Sequence, residues 1–89
     1  MKNDLENFRK QIDEIDNLIV NLLAKRLTVV KKVGKWKNKK GLVPLDKSRW
    51  QKILTSKIVK AKKLKLNPKL IKNIWNLIHE EALKIEKSL

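Results

Sequence analysis

A regular apolar spacing of threes and fours, interrupted once at position 26, runs through the first 36 residues and constrains the fold more than any other feature of the sequence. Neither glycine nor proline occurs before Gly34, so no helix-breaking residue interrupts this segment. Apolar residues at this spacing share one helical face, which predicts a long amphipathic helix from about Asp4 to about Lys39, packed against partners. The apolar positions are Leu5, Phe8, Ile12, Ile15, Ile19, Leu22, Val29, Val33 and Trp36.

Two shorter helices are predicted to follow. Asp46, with Pro44 just before it, is a good N-cap for the second helix, and Asn67 followed by Pro68 opens the third. No strand signal and no internal repeat is present, so we predict a single all-α domain over residues 1–89. The residues expected to face inward on the second helix are Trp50, Ile53, Leu54, Ile58 and Ala61. The apolar residues at helical spacing on the third helix are Leu70, Ile71, Ile74, Trp75, Ile78, Ala82 and Ile85.

Length and composition exclude several classes of protein. A chain of 89 residues buries little surface and is marginal as a monomer, so oligomerisation is expected. The absence of cysteine excludes disulfides and thiolate chemistry, and one histidine with scattered carboxylates predicts no metal site. The amino terminus is charged where a signal peptide would be apolar, and no apolar run is long enough to span a membrane. We therefore expect a soluble, cytoplasmic protein.

The formal net charge of +14 is unevenly distributed. Residues 17–79 contain 18 lysines or arginines and a single acid, Asp46, whereas five of the nine acids lie in the first sixteen residues. A strongly positive middle attracts anions that range from a small dicarboxylate to DNA. A nucleic-acid or anionic-surface binder is therefore one alternative, and a lysine-rich bias on solvated faces is another.

Only three of the 23 basic residues are arginine, and Arg26 stands where the apolar spacing demands an apolar residue. Arginine differs from lysine in offering a planar fork that binds a carboxylate or phosphate through two hydrogen bonds. A guanidinium on a core face is costly unless it is paired, and no acid lies one turn away. Arg26 therefore reaches the surface, meets an acid from another helix, or binds an anionic ligand.

The positions of two other basic residues relate them to Arg26. Lys37 lies eleven residues on, about three turns, and so shares its face, with Val30 and Val33 between them as an apolar floor. Arg9 lies about 25 Å before Arg26 along the same helix at ~1.5 Å per residue. A second, antiparallel chain must supply Arg9 if both arginines bind one small ligand. The alternative for Arg9 is a surface pair with Asp13 or Glu6.

These residues and their surroundings resemble the all-helical chorismate mutases. The matching segments are F-R-K-Q-I-D-E-I-D around Arg9, L-L-A-K-R ending at Arg26, V-G-K-W-K ending at Lys37, and D-K-S-R from Asp46 to Arg49. The resemblance covers essentially the whole chain. It implies an intertwined homodimer of three-helix chains that converts chorismate, a dianion, to prephenate without a cofactor or metal.

The resemblance also implies a role for each site residue. Arg26, Lys37, Asp46 and Arg49 of one chain and Arg9 of the other would form each site. Arg9 and Arg26 would hold the two carboxylates, and Lys37 would serve a carboxylate and the ether oxygen. Asp46 and Arg49 would shape the end of the pocket near the ring hydroxyl, although Asp46 is equally explained as a plain N-cap. Val33 would belong to the substrate pocket.

The chain departs from the family pattern at the far end of the pocket. Trp50 stands where the family commonly has a glutamate that accepts a hydrogen bond from the substrate hydroxyl, and it either turns into the helix interface or obstructs the pocket. Ala82 replaces a hydroxyl that some members carry. Trp50 thus weakens the resemblance at the position that most favours a mutase. Two alternatives therefore remain: an isochorismate pyruvate lyase of the same fold, and a weakly active or engineered relative.

Glu86 falls where members of the family carry glutamine or glutamate facing the ether oxygen. An ionised carboxylate would repel the negative charge that develops there, so Glu86 helps only when it is protonated. We therefore expect activity to rise as the pH falls from 8 towards 5, and Glu86→Gln to flatten the profile. The alternative for Glu86 is an exposed pair with Lys87 or another lysine. His79 shares this helical face and is expected to be a boundary residue of the third helix.

Overall fold

A computed structural model describes residues 2–89, which form three α-helices: α1 at Lys2–Lys39, α2 at Lys47–Lys63 and α3 at Pro68–Lys87. No strand occurs in this range, so the prediction of an all-α chain with three helices is confirmed. Helix α1 begins two residues earlier than predicted, because the residues before Asp4 contain no helix breaker. No helix within residues 2–89 is sufficiently long and apolar to cross a membrane.

Short turns with well-formed caps join the helices. Asp46 is the N-cap of α2, and its carboxylate accepts a hydrogen bond from the backbone nitrogen of Arg49 at 3.0 Å. The Asn67 side chain caps α3 in the same way, and Pro68 is its first residue. Gly41 provides the left-handed φ of 68° that lets the chain leave α1. Both predicted N-caps are confirmed.

Helix α3 packs against the second half of α1 and against α2. Gly34 of α1 lies close to the end of α3 and is buried. A methyl group in place of its hydrogen would lie 3.3 Å from the Cα atom of Glu86 and 2.6 Å from Cδ1 of Leu89. Gly34 therefore allows α3 to pass close to the backbone of α1.

The first half of α1 makes no core with the rest of its own chain. Every residue from 3 to 25 is exposed, and the apolar face includes Phe8 at 60% and Leu22 at 61% exposure. Ala61 and Ala82 are the only buried hydrophobic residues in the described part of the chain, whose principal extents are 59 × 25 × 14 Å. The predicted apolar face of α1 is thus present but has no partner within one chain.

The inward face of α2 matches the prediction, since its five positions are half-buried or buried. Most of the apolar positions at helical spacing on α3 are also half-buried or buried, whereas Leu70 and Ile74 are 51% and 37% exposed. Helical spacing identifies an apolar stripe wider than the area that the neighbouring helices of the same chain cover.

Candidate active site

A cavity of about 160 Å³ lies between the second half of α1, the start of α2 and the end of α3. Its walls include all the residues that were predicted to form the site within one chain. It is lined by Arg26, Val30, Val33, Lys37, Pro44, Asp46, Arg49, Trp50, Ile53, His79, Ala82, Leu83 and Glu86. The structure thus brings together residues from three helices and one loop that are up to 60 positions apart in sequence.

Arg26 extends from α1 into this cavity and is half-buried. No carboxylate within residues 3–89 forms an ion pair with it, so an acid from another helix of the same chain does not neutralise Arg26. Arg49, from the first turn of α2, lines the same cavity from an exposed position. Both guanidinium groups are donors only, so they give this end of the cavity a permanent positive charge.

Lys37 connects α1 to the loop and to α3. Its Nζ atom donates a hydrogen bond to the backbone oxygen of Pro44 at 2.6 Å and lies 3.0 Å from Oε1 of Glu86. The Glu86 side chain is only 9% exposed, and the ion pair is not aligned as a hydrogen bond to Oε1. Glu86 is therefore not the exposed partner of Lys87, and it forms a largely buried pair with Lys37.

Trp50 and His79 form an aromatic wall of the cavity. Their rings are stacked, with centroids 3.8 Å apart and planes inclined by 9°. Both residues are half-buried, so Trp50 contacts α3 while it also lines the cavity. Burial lowers the pKa of His79 below its ordinary value of 6.5, and the positive charge of Arg26 adds to this effect against the opposing charge of Glu86. The imidazole is consequently neutral at physiological pH.

Arg9 is not part of this cavity. It lies on the exposed first half of α1, and no ion pair with Glu6 or Asp13 is formed in the part of the chain that the structure describes. The surface pair considered for Arg9 is therefore absent from a single chain. Across residues 2–89, no group of three or more acidic or histidine side chains is arranged to hold a metal ion.

A second cavity adjoins the first, and sequence reasoning missed it. It measures about 550 Å³ and shares Arg26 and Arg49 with the first cavity. Its other polar walls are Lys52, Ser56 and Lys57. The signal was present in the sequence, because residues 49, 52 and 56 recur at helical spacing on one face. The carbonyl of Pro44 was also missed, since spacing alone does not show which backbone oxygen a lysine reaches.

The chain is similar to proteins of one known family. Residues 8–87 match the family described as chorismate mutase type II. The chain is 40% identical over 89 residues to a bifunctional chorismate mutase/prephenate dehydratase of Buchnera aphidicola subsp. Schizaphis graminum, covering 99% of this chain and 23% of that protein. It is 34% identical over 79 residues to a T-protein of Enterobacter agglomerans, covering 89% of this chain and 21% of that protein.

The chain therefore belongs to the type II chorismate mutase family, a family of isomerases, and the resemblance found in the sequence is confirmed. It spans about a quarter of the length of these curated relatives. No solved structure matches the chain significantly.

Proposed function

We propose that this chain catalyses the rearrangement of chorismate to prephenate in the first cavity. The observation that carries the proposal is the convergence of Arg26, Lys37 and Arg49 on one small, partly apolar cavity in a member of this family. Chorismate is a dianion, and cations on an apolar floor suit a compact ligand with two carboxylates.

The chemistry of the reaction fits these side chains. The rearrangement breaks an ether C–O bond and forms a C–C bond within one molecule, and it needs no nucleophile. An enzyme can hold the side chain of the substrate in the reactive conformer and place positive charge where the ether oxygen becomes negative. Arg26 would hold a carboxylate, and Lys37 would face the ether oxygen. Asp46 and Arg49 would define the end of the pocket that receives the ring.

The second part of the proposal is that two chains form each site, and that the partner supplies Arg9. Arg9 lies about 25 Å from Arg26 along α1 at ~1.5 Å per residue, so one chain cannot use both for one ligand. The exposed apolar face on residues 3–25 of α1 needs a partner, since an apolar patch of this length is unfavourable in water. An antiparallel pair of α1 helices would cover the apolar face of each chain and bring the Arg9 of each beside the Arg26 of the other. By symmetry, the dimer would have two equivalent sites.

Charge and shape favour the same arrangement. The first half of α1 carries five of the nine acids in the sequence, whereas the turn between α2 and α3 is rich in lysine. An apolar groove of about 300 Å³ lies at that turn, and its lining includes Trp75, Lys57 and Lys60. An acidic, apolar helix from a second chain would complement this groove.

The direct test measures chorismate consumption and prephenate formation by the purified protein, together with its mass in solution. Arg26→Ala should lower kcat/KM at least about 30-fold, since removing one partner of a buried, hydrogen-bonded charge pair costs about 2 kcal/mol or more. The matched control is Lys25→Ala, which removes the same charge from an exposed neighbouring position and should keep activity within about twofold. A monomeric protein would refute the shared-site proposal, and equal activity in both variants would refute the assignment of Arg26 to the site.

Trp50 makes isochorismate pyruvate lyase the second candidate, because an indole occupies the position where the mutase pattern has a carboxylate. The two activities are separated by measuring pyruvate release from isochorismate beside prephenate formation from chorismate. We expect the second reaction to have the higher kcat/KM.

The lysine-rich middle of the chain supports a candidate of a different class, a binder of nucleic acid or anionic surfaces. Such a binder would show DNA affinity that falls steeply with salt and that survives Arg26→Ala, because no single residue dominates phosphate contacts. The enzyme hypothesis predicts a different result, in which Arg26→Ala abolishes turnover while the dimer still forms.

A further inference from the structure

The stacked pair of Trp50 and His79 fixes an imidazole at the wall of the site cavity. The face of His79 is covered by the indole at a centroid distance of 3.8 Å. A stack of this kind restrains the ring plane through the faces and leaves the two nitrogens, which lie in the plane, able to form hydrogen bonds. No hydrogen bond within residues 3–89 involves either ring nitrogen of His79.

The charges around His79 favour its neutral form. Burial is the largest cause that lowers the pKa of His79, and the positive charges of Arg26 and Lys37 lower it further. The negative charges of Glu86 and Glu80 act in the opposite direction. A neutral imidazole has one N–H donor and one nitrogen acceptor. The charged and titratable groups that share its cavity or act on it are Arg26 and Lys37 of α1, Asp46 of the loop before α2, Arg49 of α2, and Glu80 and Glu86 of α3.

Hydrogen-bond acceptors are scarce in this cavity. Arg26, Lys37 and Arg49 can only donate. One carboxylate oxygen of Asp46 accepts from the backbone nitrogen of Arg49, and Oε1 of Glu86 lies against Lys37 without an aligned hydrogen bond. Both of these acceptors are carboxylates beside basic groups. The unprotonated nitrogen of His79 is the neutral acceptor among the side chains that line the cavity, and no hydrogen bond within residues 3–89 engages it. A ligand that offers carboxylates and an ether oxygen can use the donors, but a ring hydroxyl needs an acceptor for its own proton.

We propose that His79, held flat by Trp50, binds substrate by accepting a hydrogen bond from the ring hydroxyl of chorismate. This inference rests on the proposed function and assigns a substrate-binding role to a residue that helical spacing alone places at a boundary. The stack explains the presence of an indole at position 50, since Trp50 orients the acceptor instead of providing one. Trp50 is accordingly a positioning residue, and His79 contacts the substrate.

The test compares the protein with three variants on two substrates. The variants are His79→Leu, which removes the acceptor, His79→Gln, which keeps an amide acceptor, and Trp50→Phe, which keeps an aromatic face. The substrates are chorismate and its analogue with hydrogen in place of the ring hydroxyl. We expect His79→Leu to lower kcat/KM for chorismate about tenfold to 100-fold, the effect of leaving one partner of a hydrogen bond unpaired. The analogue should react equally with the protein and with His79→Leu, and His79→Gln should retain most of the activity on chorismate.

Two results would overturn the inference. An equal loss on both substrates would mean that His79 only packs, and undiminished activity of His79→Leu on chorismate would mean that it does not contact the hydroxyl. Failure of the unmodified protein to convert chorismate would refute the proposed function as well, so the two failures are distinguishable.

A second measurement does not depend on the folding of any variant. His79 is the single histidine in the sequence, so its imidazole ¹⁵N signals are identified without mutagenesis. Prephenate, which keeps the ring hydroxyl, should move the signal of the unprotonated nitrogen, whereas prephenate lacking that hydroxyl should leave it in place. Identical shifts with both ligands would contradict the hydrogen bond.

Discussion

Lys37 Nζ lies 3.0 Å from Glu86 Oε1, so the cation and the carboxylate that face the proposed position of the ether oxygen neutralise each other in the absence of substrate. The pair is nearly enclosed, with side-chain exposures of 20% and 9%. A bound substrate whose ether oxygen becomes negative must compete with Glu86 for Lys37. An amide at position 86 would release the lysine and add a hydrogen-bond donor towards that oxygen.

The first prediction concerns the charges of this pair and of His79. Glu86→Gln should raise activity, because an uncharged amide frees Lys37 and can donate a hydrogen bond towards the ether oxygen. The structure adds His79 to the site, and activity should turn down at the acid end of the range, since an imidazolium cannot accept a hydrogen bond. Steady-state kcat/KM between pH 5 and 8 checks both effects. Equal activity of Glu86→Gln and the unmodified protein would remove Glu86 from the mechanism.

The second prediction tests whether two chains share a site. Arg9→Ala and Arg26→Ala should each be inactive alone. Co-expression should restore activity, because a mixed dimer contains one site with Arg26 from the first variant and Arg9 from the second. Random pairing gives half mixed dimers with one intact site each, so about a quarter of normal activity is expected.

A control for this experiment combines two variants whose altered residues are both supplied to a site by the same chain. Arg26→Ala co-expressed with Lys37→Ala should remain inactive, because both residues come from the same chain and every site lacks one of them. Restored activity in that control, or none in the first mixture, would contradict the supply of Arg9 by the partner.

Much of the fold and of the one-chain site followed from the sequence, for identifiable reasons. Helical spacing and the caps at Asp46 and Asn67 act over a few residues, so they are readable locally. Arg26 stood out because a charge interrupted an apolar pattern. The stack of His79 on Trp50 could not be read in this way, because it depends on how α2 and α3 approach each other. The exposure of Leu70 and Ile74 likewise depends on which surfaces one chain covers.

The third prediction concerns Gly34, where α1 and α3 approach. In Gly34→Ala the new methyl group would lie 3.1 Å from Cγ and 3.3 Å from Cα of Glu86, so the backbone of α3 must move by a few tenths of an ångström. Because this shift displaces Glu86, kcat should fall about threefold to tenfold. The free energy of unfolding should fall by no more than about 2 kcal/mol, since the greater helix propensity of alanine offsets part of the overpacking.

Leu89→Ala separates the two effects of Gly34→Ala. The methyl group would also lie 2.6 Å from Leu89 Cδ1, a contact with the end of a flexible side chain. In the double variant, stability measured by urea denaturation should partly recover while kcat stays low. If kcat recovers together with stability, the displacement of Glu86 is not the cause of the lost activity.

The fourth prediction is that His79 makes the fold less stable in acid. Its pKa in the folded protein is lowered from the ordinary value of 6.5, so the unfolded chain takes up this proton first as the pH falls. The contribution of neutral His79 to the free energy of unfolding is fully present above about pH 6.5 and is lost as the pH falls through 6.5 to the folded-state pKa.

His79→Gln cannot titrate, so its free energy of unfolding should fall less between pH 7.5 and 5.0 than that of the unmodified protein. Urea denaturation at both pH values and one chain concentration measures the two differences, because dimer stability depends on concentration. Equal differences in the two proteins would show that burial and Arg26 do not lower the pKa of His79 in the folded state.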